Sequence, residues 1–106
     1  MSYYERYCKN TEQSSPTQFS VKPDRAAYCH SIDIGPVSAT SGTITLKGRV
    51  PGGQFRDIKD DYGSAFSCSL STPGIFNFYG CFEEIQVNAS GLSGGNSDFY
   101  VALAGV

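Results

Sequence analysis

The feature that most constrains this chain is strict alternation of apolar and polar residues in short runs. In Gly42-Thr-Ile-Thr-Leu-Lys-Gly48, Ile44 and Leu46 point one way, and Thr43, Thr45 and Lys47 the other. Successive side chains of a strand leave opposite faces, so period two marks a strand with one buried and one wet face. Asp98-Phe-Tyr-Val-Ala-Leu-Ala104 repeats the pattern with Phe99, Val101 and Leu103. Between these two runs, Ala65–Ser71 puts Phe66, Cys68 and Leu70 on one face. Cys81–Ala89 does the same with Ile85, Val87 and Ala89, and Ile75-Phe-Asn-Phe-Tyr79 is short and aromatic.

The breaks are as informative as the runs. Arg49-Val-Pro-Gly-Gly53 and Thr72-Pro-Gly74 are tight turns, where Pro presets φ and Gly supplies a positive one. Gln54–Ile58 reads as a strand with a bulge, because Phe55 and Ile58 are three apart. Lys59–Gly63 reads as a charged loop and Ser90–Ser97 as a flexible one. Upstream, Gln18–Lys22 alternates and predicts a first strand. Tyr28–Ile34 follows, with Tyr28, His30, Ile32 and Ile34 on one face and Cys29, Ser31 and Asp33 on the other. The expected fold is all-β: an antiparallel, jelly-roll-like sandwich of seven to eight short strands over residues 18–106.

Residues 1–17 predict an extended N-terminal arm. Lys9–Pro16 is polar and turn-rich, which is poor core material. Tyr3, Tyr4 and Tyr7 precede it, and tyrosine offers large contact area at low entropic cost. With Phe19 they are the expected partner-binding residues.

Composition excludes several functions. A length of 106 residues fits one domain. The net charge of −2 without a basic patch argues against a nucleic-acid partner, and no long apolar run predicts a membrane span. The N-terminus lacks a signal-peptide core, so a cytoplasmic compartment is expected, and with it reduced Cys8, Cys29, Cys68 and Cys81.

Catalytic readings find little support. The one histidine, His30, lies beside Ile32 and Ile34 and reads as a hydrogen-bonded core or interface residue. Glu83 and Glu84 are neighbours on an expected strand and should face apart, unlike a glycosidase pair. There is no Gly-x-Ser-x-Gly elbow, no Cys-x-x-Cys and no phosphate loop. Asp57, Asp60 and Asp61 lack the spacing of a calcium loop. No enzymatic activity, metal or cofactor is expected.

The order of pieces across residues 42–106 resembles the small β-sandwich virion proteins of tailed bacteriophages, of the capsid decoration or cement, head-fibre and tail-adaptor types. The pieces are Gly42–Gly48, Pro51-Gly-Gly-Gln-Phe-Arg-Asp-Ile58, Phe66–Gly74, Phe82-Glu-Glu-Ile-Gln-Val-Asn88, Ser93-Gly-Gly95 and Tyr100–Gly105. The family has Trp where Phe55 stands, and Arg where Glu83, Glu84 and Gln86 stand. The resemblance implies a non-enzymatic structural protein, assembled in the host cytoplasm and carried in the virion. Its partner would be the major capsid protein, and its self-association a trimer ahead of a dimer. The alternative is a carbohydrate- or receptor-binding module using Tyr62, Phe78, Tyr79 and Phe82.

Overall fold

The structure, a computed structural model, describes residues 3–8, 18–23, 27–36, 39–94 and 99–106; side chains of residues 3–8, 19 and 36 lie outside that description. Among the described residues there are nine strands and no helix. They are β1 (Tyr3–Cys8), β2 (Gln18–Val21), β3 (Cys29–Pro36), β4 (Ser41–Arg49), β5 (Arg56–Asp57), β6 (Ser67–Ser69), β7 (Gly74–Tyr79), β8 (Glu84–Ser93) and β9 (Phe99–Gly105). One sheet runs β1-β9-β3-β7. The other runs β2-β8-β4, with β5 and β6 end to end along the far side of β4. Among the described residues every strand pairing is antiparallel. The protein is an all-β sandwich, as the alternation requires.

The inner faces are the ones the alternation marks. Ile32 and Ile34 of β3, Phe78 of β7, and Phe99, Val101 and Leu103 of β9 meet Ile44 and Leu46 of β4, Cys68 of β6, and Ile85, Val87 and Ala89 of β8. All are buried, and burial of each large apolar side chain contributes about 1.5–3 kcal/mol. The antiparallel register forces these residues onto one side together, since a slip of one residue would turn each run inside out.

Three elements depart from the sequence expectations. Tyr3–Cys8, expected within an arm of residues 1–17, run as β1 along β9, with Tyr3 opposite Gly105 and Cys8 opposite Tyr100. Residues 9–17 lie outside the described residues. The strand expected over Gln54–Ile58 is limited to the pair Arg56–Asp57, and the Phe55 ring lies against the Arg49 guanidinium. The loop expected at Ser90–Ser97 begins later: β8 continues to Ser93. Its register with β4 shifts between Ser41↔Ser93 and Thr43↔Ser90, so Gly91 and Leu92 form a bulge there. Gly91 has φ +63°, a left-handed conformation that glycine adopts without strain.

Candidate functional site

The structure distributes the expected contact residues over two edges. Tyr3, Tyr4 and Tyr7 belong to β1, opposite Gly105, Ala104 and Val101, on the edge of the first sheet. Phe19 belongs to β2, opposite Val87, on the edge of the second. The side chains of all four lie outside the described residues.

Of the four rings of the alternative platform, Phe78 is core and Phe82 is half-buried. Tyr62, 92% exposed, stands on the β5–β6 loop, whereas Tyr79 stands on the outer face of the first sheet. They do not make one platform.

His30 is the buried polar residue of the described core. Its Nε2 lies 2.7 Å from the carbonyl oxygen of Gly80, and as a neutral donor it satisfies that acceptor. The ring stacks on Phe78 at 4.9 Å and 14° and tilts against Phe82 at 5.6 Å. Burial holds the imidazole below its ordinary pKa, and the bond to Gly80 partly offsets that. A neutral imidazole wedged between two phenylalanines is built for packing.

A second polar cluster was not legible in the sequence. Arg49 ends β4 opposite Glu84. Its Nε and one Nη donate to Glu84 Oε1 at 3.1 and 2.9 Å, and its other Nη donates to Glu83 Oε1 at 3.1 Å. The two carboxylates, expected to face apart, converge because Glu83 precedes β8 and escapes its alternation. The hydrogen bond to Glu84 is the main reason the guanidinium is held above its ordinary pKa. The same guanidinium sits 5.7 Å from the centre of the Phe55 ring.

Two neighbouring aspartates are also committed within the fold. Asp60 Oδ1 accepts from the amides of Tyr62 and Ser64 at 2.9 and 3.0 Å, and Asp57 pairs with Lys47 at 3.4 Å. Among the described residues, no three metal-ligating side chains group together. Cys29 and Cys81 are exposed free thiols; Cys68 is a buried one, pushed up to about 11 by desolvation.

What remains is surface. On the outer face of the first sheet, Tyr28, Ile75, Tyr79 and Val106 are exposed, and the Tyr28 and Tyr79 rings lie 6.1 Å apart. Between Tyr79 and Val106 runs a shallow depression of about 310 Å³ floored by Ser31, Asn77 and Ala104. Broad, open and mostly apolar, it suits contact with another macromolecule more than enclosure of a small substrate.

No family model and no curated protein sequence matches this chain. Solved structures do. The sandwich superposes on the SPBc2 prophage-derived protein YomS with a TM-score of 0.54 and 13% identity, covering 97% of this chain and 94% of YomS. It superposes on the PBSX exported protein XepA with a TM-score of 0.61 and 17% identity, covering 99% of this chain. The fold is shared with these two proteins. The chain spans 39% of the length of XepA, so there the same fold is one part of a longer protein.

Proposed function

We propose that this chain is a non-enzymatic structural protein of a tailed-phage virion, a cement or decoration subunit that binds the major capsid protein and stabilises the shell. The observation that carries this reading is the match to YomS, a prophage-derived protein, over nearly the full length of both chains. It agrees with the order of strands and turns over residues 42–106, which resembles the virion sandwiches. The polar groups support it too. His30, Arg49, Glu83, Glu84 and Asp60 are engaged by neighbours within the fold. A small sandwich bound where coat subunits meet favours the assembled shell by mass action, because it binds the assembled state and not the dissociated one.

The test is physical association. Shells purified with and without this chain should differ in its fixed stoichiometric presence and in the temperature at which they rupture, higher with it. Soluble protein that binds polysaccharide or whole cells, and is absent from shells, would favour the receptor-binding alternative. In the cement reading the chain is made in the host cytoplasm and ends in the virion.

A further inference from the structure

The edge strand β7 and its flank, Gly74-Ile-Phe-Asn-Phe-Tyr-Gly80, read almost the same in both directions. Glycine stands at each end, a large apolar residue follows, then phenylalanine, with Asn77 at the centre. Among the described residues this strand pairs with β3 on one side only.

The backbone of β7 can be assigned pair by pair. The Gly80 amide donates to Tyr28 O at 2.9 Å, while Cys29 and Val106 exchange bonds of 3.1 and 3.0 Å. Antiparallel ladders alternate, so β3 uses its even residues toward β7 and its odd ones toward β9. Residues 74, 76, 78 and 80 therefore face β3. Ile75, Asn77 and Tyr79 turn their N–H and C=O groups to the open edge.

The other edges carry protection that this one lacks. β1 has Glu5 and Arg6, β5 is Arg56-Asp57, β2 has four residues before Lys22-Pro23, and β6 has three. β7 has six residues, no charge, no proline and an unbroken register. An uncharged, regular edge of that length is a template for another strand.

We propose that β7 is the contact through which a second copy of this chain docks, antiparallel and edge to edge, with Asn77 on the two-fold axis. The two four-stranded sheets would then run on as one. A two-fold axis perpendicular to the sheet keeps inner faces with inner faces. Phe76 lies opposite Phe78 of the partner subunit, and Ile75 opposite Tyr79 of the partner subunit. Gly74 meets Gly80 of the partner subunit at each end. The near-palindrome is what makes the second copy the fitting occupant: each position of the strand meets its own kind, and β7 itself carries no charge. Tyr28 lies beside Tyr79 and extends the apolar zone. A three-fold arrangement would bring β7 against some other surface and make no use of this symmetry. The inference does not depend on the virion reading.

Asn77 allows a test that separates docking from folding. Its side chain is exposed, with Ser31 Oγ donating to Oδ1 at 2.8 Å as its hydrogen bond. Asn77→Asp and Asn77→Lys each place like charges opposite each other across the axis. Sedimentation equilibrium should show a dimer for the unaltered chain. Dimerisation should weaken about tenfold or more for either variant alone and be restored when the two are mixed. A monomer or a trimer for the unaltered chain would overturn the proposal. So would variants that dimerise like the parent, or folded variants that stay monomeric on mixing.

Discussion

His30 Nε2 stands 2.7 Å from the carbonyl oxygen of Gly80, fifty residues away along the chain. Gly80 also donates its amide to Tyr28 O at 2.9 Å and leaves its Cα side to the Phe82 ring. One glycine thus ties the entry of β3, the exit of β7 and the ring that covers both.

That contact predicts a pH dependence. Burial lowers the imidazole pKa in the folded state below the ordinary 6.5. The unfolded chain then binds the proton more readily. Stability from this group is complete above 6.5 and is lost as pH falls through that value toward the folded pKa. The slope is at most about 1.4 kcal/mol per pH unit. Urea melts across this range should show it, and His30→Gln, whose amide can still donate to Gly80, should flatten it.

Thiol labelling of the native protein should discriminate among the cysteines. Cys29 and Cys81 are exposed, whereas Cys68 is buried with a pKa of about 11. The thiolate is the reactive form, so Cys68 should resist alkylation until the fold opens. Peptide mapping after brief labelling, with and without denaturant, reads the difference directly.

Phe82 predicts where glycine is obligatory. A Cβ on Gly48 would lie 2.6 Å from Phe82 Cδ1, and one on Gly80 would lie 2.7 Å from Phe82 Cζ. Gly48→Ala should cost about 1–3 kcal/mol, as overpacking does. Gly80→Ala should cost more, because its φ of +138° adds backbone strain. Combining Gly48→Ala with Phe82→Leu should recover part of the loss in a denaturant melt. Leu46→Ala, at a fully packed site, sets the scale at about 2–5 kcal/mol.

The sandwich was legible because its inner residues repeat at the strand period: Ile44 with Leu46, Ile85 with Val87, Val101 with Leu103. Their local alternation carries the fold whatever the distant partner is. β1 was not legible as a strand of the sandwich. Tyr-Tyr-Glu-Arg-Tyr has no aliphatic stripe, and its partner β9 lies at the other end of the chain. The end of β8 was hidden by Gly91, whose bulge looks like loop composition. The Arg49 cluster was missed for the same reason as the Gly80 contact: both depend on which strands lie side by side, and neither residue announces its partner locally. The symmetry of residues 74–80 was present in the letters, but it gains meaning only once β7 is known to be an edge.

The measurement that bears most directly on the structural role is the copy number of this chain in purified virions, taken together with the rupture temperature of shells that lack it. A fixed ratio to the major capsid protein and a lower rupture temperature without the chain are the predicted results. Virions that contain none of it, or shells that rupture at the same temperature with and without it, would contradict that role.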